Sequence, residues 1–204
     1  MNKKLIIYDF DGVLVDSRGA VVHYYSAVFR HFNIPQLDWK DPVVLKDVFG
    51  MSHRQLLGQY AEGDTLEEMC HYVPPHDMAE MLAVTPLENG VAEAIPQLAK
   101  DYHLAICTNR GESVDKYLEH YNIKQYFSYV ITSLDVQEPK PAPEGVLKIL
   151  AHFNLTPTDA LYIGDSDVDY LAATAAGVEL LAFGASLSGS PFMTDHMEIF
   201  NYLK

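Results

Sequence analysis

Between residues 104 and 184, four apolar runs of strand length alternate with segments of helix length. The runs are LAICTN (104–109), YVITS (129–133), ALYIGD (160–165) and ELLAFG (179–184). Nothing else in the chain narrows the fold as far. Strands separated by helix-length crossovers pair in parallel, and a parallel sheet needs helices on its faces. The spacers 112–122, 143–153 and 167–176 read as those helices, the second opened by Pro143 near its first turn and the third followed by Gly177 at the C′ position. A fifth run, LIIYD (5–9), begins the pattern but is separated from the rest by a stretch of different character.

That stretch, 17–84, has no strong strand pattern and several helix starts. Ser52 with Gln55 and Thr65 with Glu68 fit capping boxes, and Pro35, Pro42, Pro74 and Pro75 cut it into short helices. The aromatic-rich HYYSAVFRHF (23–32) has helical spacing and reads as packing within this module. GVAEAIPQLAKDY then reads as a helix whose start is shifted, or whose axis is kinked, by Pro96. The predicted architecture is α/β, a Rossmann-like parallel-sheet core formed by 1–16 and 85–204, with a helical cap, 17–84, inserted after the first strand.

Charge narrows the function. A formal net charge of −14 without a basic stripe argues against nucleic acid as a partner, and an anionic ligand would need a cation or a local Lys/Arg cluster. Cys70 and Cys107 show no metal or disulfide spacing, and Cys107, inside an apolar strand, reads as a buried small hydrophobe. The first apolar run breaks at Asp9, too early for a signal peptide, and no run is long enough to span a membrane. A cytoplasmic protein, monomer or homodimer, without membrane or nucleic-acid partners, is expected.

In open α/β sheets, ligands bind beyond the carboxyl ends of the strands. Asp9 and Asp11 follow the first run, Thr108 and Asn109 the second, Asp165 and Asp169 the fourth, and Lys140 lies in the loop after the third. D-x-D-G alone arises by chance in about one chain in twenty of this length, so its position at a strand end carries the weight. DSDVD (165–169) imitates half an EF-hand loop but has Tyr170 where Gly is required and Ala176 where the bidentate Glu belongs. No nucleotide-cradling glycine loop is present. Clustered carboxylates raise one another's pKa unless a cation neutralises them, and Mg²⁺ suits such an all-oxygen site.

The order DFDGVLVDS, ICTN, Lys140 in EPKPAPE, then IGDSDVD resembles the haloacid dehalogenase superfamily, and the insertion resembles the small helical cap of its phosphoglycolate phosphatase and β-phosphoglucomutase subgroup. The resemblance implies an Mg²⁺-dependent phosphatase of a small phosphorylated metabolite. Asp9 would be the nucleophile that forms an aspartyl phosphate, and Asp11 the general acid and base. Thr108 would hold phosphoryl oxygens, and Lys140 would neutralise charge there and orient Asp9. Mg²⁺ would be bound by Asp9, the main-chain carbonyl of Asp11 and Asp165, with Asp169 behind them or acting through water. Asn109, Arg110, His53 and Arg54 are candidate substrate contacts, although Arg110 also reads as a surface residue and His53 and Arg54 as a solvated helix start. The dehalogenases themselves usually lack an acid at the position of Asp11, which points to phosphoesters. A sugar phosphomutase shares every core residue, and a non-catalytic phosphate-binding module remains a third reading.

Overall fold

The computed structural model describes residues 3–51, 53–75, 77–111 and 113–204. Among them run six strands: β1 (Leu5–Tyr8), β2 (His103–Cys107), β3 (Tyr129–Ile131), β4 (Ala160–Gly164), β5 (Glu179–Phe183) and β6 (Phe192–Met193). They form one parallel sheet in the order β3-β2-β1-β4-β5-β6. Five of them follow the apolar runs. β6 is only two residues long, too short to leave a period in the sequence.

The chain divides into two compact units, one made of the stretch through Ser17 together with Pro86–Lys204, the other of Arg18–Thr85. The second holds α1 (Arg18–His31), α2 (Pro42–Gly50), α3 (His53–Leu57), α4 (Gly63–His71) and α5 (Met78–Ala83). Tyr25, Val28 and Phe29 lie on one face of α1 by their three- and four-residue spacing, and they pack with Val48, Leu56, Leu57 and Met69. Asp41 caps α2, its carboxylate accepting the Val43 amide at 2.8 Å with Pro42 in the first turn. The Thr65–Glu68 capping box does not form: α4 starts earlier, at Gly63, and Leu66 N already donates to Glu62 O, which leaves Thr65 inside the first turn. The Ser52 capping box lies outside the described residues.

The sheet unit adds α6 (Val91–Leu98), α7 (Val114–His120), α8 (Glu144–Phe153), α9 (Asp167–Ala175) and α10 (Ile199–Tyr202). Pro96 falls inside α6, which is shorter than its pattern suggested and ends two residues later. Gly177 takes φ +72° just beyond α9, the left-handed conformation expected of a C′ glycine. β1 and β4 are buried at every position, as strands covered on both faces must be. On one face Leu5, Ile7, Ala105 and Tyr162 pack against Val146 and Ile149 of α8 and Ala172 and Ala173 of α9. Among the described residues, no helix is long and apolar enough to cross a membrane.

Topology places the site. From β1 the chain runs outward through β2 and β3, then returns to the other side of β1 as β4, so the strand order reverses at β1. Tyr8 is in register with both Ile106 and Ile163, so the three central strands end at one level and deliver their loops to one place.

Candidate active site

Asp9 continues the β1 ladder, its amide donating to Ile163 O at 2.8 Å, and the chain then turns sharply. Leu14 N and Val15 N both donate to Phe10 O, and Gly12 N donates to Val15 O at 2.8 Å. Gly12 carries φ +74°, and a Cβ there would lie 2.0 Å from Asp165 Oδ2. Glycine is therefore required twice, for the turn and for the approach of the two acidic loops. A similar constraint acts at Gly164, where a Cβ would sit 2.4 Å from Asp169 Cβ, so the first turn of α9 lies directly against the end of β4.

Lys140 is the buried cation of the site. Its Nζ lies 2.8 Å from Asp9 Oδ1, donates to Asp169 Oδ1 at 2.5 Å and to the Tyr162 hydroxyl at 3.2 Å. Burial alone works against its charge, but Asp9 and Asp169 hold its pKa well above the ordinary lysine value. Asn109 fixes the main chain that carries it: Lys140 N donates to Asn109 Oδ1 at 3.0 Å and Asn109 Nδ2 donates to Lys140 O at 2.9 Å. A candidate substrate contact in the sequence, the Asn109 amide is thus placed on the lysine loop.

Asp169 is fully buried and fully engaged. Oδ1 faces Lys140 and Tyr162; Oδ2 accepts from Ser166 Oγ at 2.5 Å and from the amides of Ser166 and Asp165 at 3.2 and 3.3 Å. The Tyr162 hydroxyl lies 3.0 Å from Asp169 Oδ1 and 3.1 Å from Cys107 O, so one phenol ties β4, β2 and the lysine together. Sequence reasoning passed over Tyr162. The available signal was a phenol in a strand buried on both faces, whose hydroxyl must find a partner.

The metal fit rests on the free oxygens. Carboxylate oxygens of Asp9, Asp165 and Asp169 lie within 4.8 Å of one another. Opposite ligands of one Mg²⁺ stand about 4.2 Å apart, so the spread is slightly wider than one ion would set. Asp169 has its oxygens taken by donors, whereas Asp9 Oδ1 accepts no well-directed hydrogen bond and meets only the Lys140 charge. Burial pushes the Asp9 pKa up to about 7 against the pull of Lys140, with Asp169 adding to the rise. Loss of solvent, then Asp9 and Asp169, also push Asp165 upward, although its exposed face lets water moderate the effect. Such a pair of acids fits a hard divalent cation, with Asp9 and Asp165 as carboxylate ligands and Asp169 behind them.

Thr108 is buried at the end of β2 with its Oγ1 accepting the Arg110 amide at 3.1 Å. Arg110 pairs with Asp11, Nε to Oδ2 at 2.8 Å and Nη2 to Oδ1 at 2.5 Å. Asp9, Asp11, Thr108, Asn109, Arg110, Lys140 and Val168 line an open pocket of about 410 Å³. Cys107 stays outside the chemistry, since burial pushes its thiol up to about 12. His53 and Arg54 belong to the helical unit. There His53 Nδ1 lies 3.0 Å from Tyr25 OH, and Arg54 forms an exposed two-point ion pair with Glu67.

A Rossmann-like parallel α/β core that gathers carboxylates and a buried lysine at its switch point has its candidate site where open α/β sheets bind their ligands. The chain belongs to the haloacid dehalogenase-like hydrolases, whose family profile matches residues 6–183. It is 26% identical over 191 residues to phosphoglycolate phosphatase 1 of Pseudomonas aeruginosa, covering 88% of this chain and 68% of that protein. To pyrophosphatase PpaX of Bacillus velezensis it is 28% identical over 187 residues, covering 91% and 85%. A crystal structure of a subfamily IA hydrolase of the superfamily, from Geobacter sulfurreducens, superposes with a TM-score of 0.87 at 34% identity, covering 100% of this chain and 97% of that one.

Proposed function

We propose that this hydrolase is an Mg²⁺-dependent phosphatase of a small phosphorylated metabolite, working through an aspartyl phosphate on Asp9. The observation that carries the reading is the Asp9–Lys140–Asp169 chain at the switch point, with Thr108 and Asp11 lining the same pocket. Relatives named for phosphoglycolate and pyrophosphate hydrolysis share reaction at a phosphoryl group, which supports the class without choosing the substrate.

In this reading Asp9 Oδ attacks phosphorus, and the bond to the leaving alkoxide breaks as Asp11 gives it a proton. Asp11 then takes a proton from the water that attacks the acyl phosphate, returning the Asp9 carboxylate and releasing inorganic phosphate. Thr108 holds the phosphoryl oxygens, and Lys140 balances charge while fixing Asp9. Asp9, Asp165 and the Asp11 carbonyl would hold Mg²⁺, which when bound offsets the negative charge shared by carboxylate and phosphoryl group. In this reading the inserted helical unit, Arg18–Thr85, carries the choice of substrate.

The test is hydrolysis of a panel of phosphorylated metabolites with and without Mg²⁺, with Asp9→Asn as control. Metal-dependent phosphate release that Asp9→Asn abolishes is expected. No turnover of any ester, or turnover indifferent to Asp9→Asn, rejects the reading; an isomerised sugar phosphate would indicate a mutase instead.

A further inference from the structure

The Arg110 guanidinium is built into the sheet unit more firmly than a surface arginine. It lies over the Tyr117 ring at 4.9 Å and the Phe10 ring at 5.5 Å, and Nη1 donates to Ser113 Oγ at 3.2 Å. Its side chain is 19% exposed, that of its partner Asp11 34%. Asp11 is therefore the freer member of the pair, and Arg110 the fixed post. Both Asp11 oxygens lie in the guanidinium fork, at 2.8 and 2.5 Å. A carboxylate held at both oxygens by one fork has the inner lone pair of each oxygen taken, so only the outer lone pairs are left to meet a leaving group or a water.

We propose that Arg110 is a positioning residue that parks Asp11 in the resting site and releases it when a phosphoryl group takes over the fork. The inference rests on the reading of Asp11 as the residue that moves protons. A guanidinium fork binds phosphate and carboxylate by the same two-point geometry, and Arg110 lines the same pocket as Thr108 and Lys140. Substrate arrival and arming of the acid are thereby one event. An empty site keeps its proton-transfer group tied down.

Competition for the fork separates this from a merely structural role. Affinity for inorganic phosphate, and rates with Mg²⁺ on p-nitrophenyl phosphate and on an alkyl phosphate, are measured in wild type, Arg110→Gln, Arg110→Lys, Asp11→Asn and the Arg110→Gln/Asp11→Asn double variant. Release of p-nitrophenol needs no proton in the first step, whereas release of an alcohol does. Arg110→Gln is expected to raise KM for both esters alike and to leave the alkyl-to-aryl rate ratio at the wild-type value, because a bound phosphoryl group has already freed Asp11. Arg110→Lys, which keeps the charge but loses the fork, should fall between in KM. Asp11→Asn, which gives up the paired charge, should tighten phosphate binding about threefold or more, and that gain should vanish in the Arg110→Gln background, since the two residues act on one fork. An Asp11→Asn variant that binds phosphate no tighter than wild type, or a gain that persists without Arg110, overturns the proposal. Asp11→Asn alone should lower the ratio at least tenfold; if it leaves the ratio unchanged, the acid–base reading of Asp11 is what fails.

Discussion

Tyr162→Phe removes one oxygen from the centre of the site and leaves the ring in place. The hydroxyl accepts from Lys140 Nζ at 3.2 Å and lies within bonding distance of Asp169 Oδ1 and Cys107 O. It has one proton for two acceptors, so the substitution costs one donated bond and one accepted from a charged group. The first is worth about 1 kcal/mol net and the second about 1.5–3. Lys140 keeps Asp9 and Asp169 as partners, and Asp169 keeps Lys140 and Ser166, which brings the expected loss of stability below the sum of the two bonds, to about 1–3 kcal/mol. Urea unfolding measures it through a shift in midpoint at unchanged m. The same loosening lets the ammonium drift from Asp9. If about 1.4 kcal/mol of that positioning is realised only in the transition state, kcat falls about tenfold while KM hardly moves. A Phe variant with wild-type midpoint and wild-type kcat would refute the claim that Tyr162 positions Lys140. A rise in KM with unchanged kcat would place the residue in substrate binding instead.

Three further outcomes follow from individual contacts. Gly12→Ala puts a methyl 2.0 Å from Asp165 Oδ2 at φ +74°; the left-handed conformation costs about 1–2 kcal/mol, and displacement of Asp165 should raise the Mg²⁺ concentration needed for half-maximal activity. Asn109→Ala breaks both bonds to the Lys140 main chain, whereas Asn109→Asp keeps an acceptor for Lys140 N, so melting temperature and kcat should both fall further for Ala than for Asp. His196 is buried with Nε2 2.8 Å from Val13 O, and burial lowers its pKa to about 4. The unfolded chain then binds more protons than the folded one between about 6.5 and 4, so stability is lost as pH falls through that window. His196→Gln should flatten the dependence of melting temperature on pH there, and an unchanged slope would contradict the assignment.

The fold was legible because its signal is local. β1 to β5 are apolar runs closed by Asp, Asn, Ser or Gly, and the catalytic candidates sit in the loops beyond the first four of them in chain order. The helical unit was legible as a unit but not in its details: α4 begins at Gly63 because Glu62 O closes the first turn, which no pattern around Thr65 reveals. Residue roles set by tertiary contact were hidden. Asn109 and Lys140 are 31 residues apart, and Arg110 and Asp11 are 99 apart, so nothing near either residue announces its partner. Tyr162 marks the boundary between the two cases. Its burial followed from the strand pattern, while the identity of its partners needed the register of β1, β2 and β4.

The central claim is that Asp9 carries the phosphoryl group. Acid quenching of the enzyme during turnover of a phosphorylated substrate with Mg²⁺, followed by borohydride reduction of any acyl phosphate and peptide mass spectrometry, tests it directly. Conversion of position 9 to homoserine, with Asp11, Asp165 and Asp169 untouched, is the predicted result. Turnover with no modified carboxylate, or modification at another acid, would contradict the account.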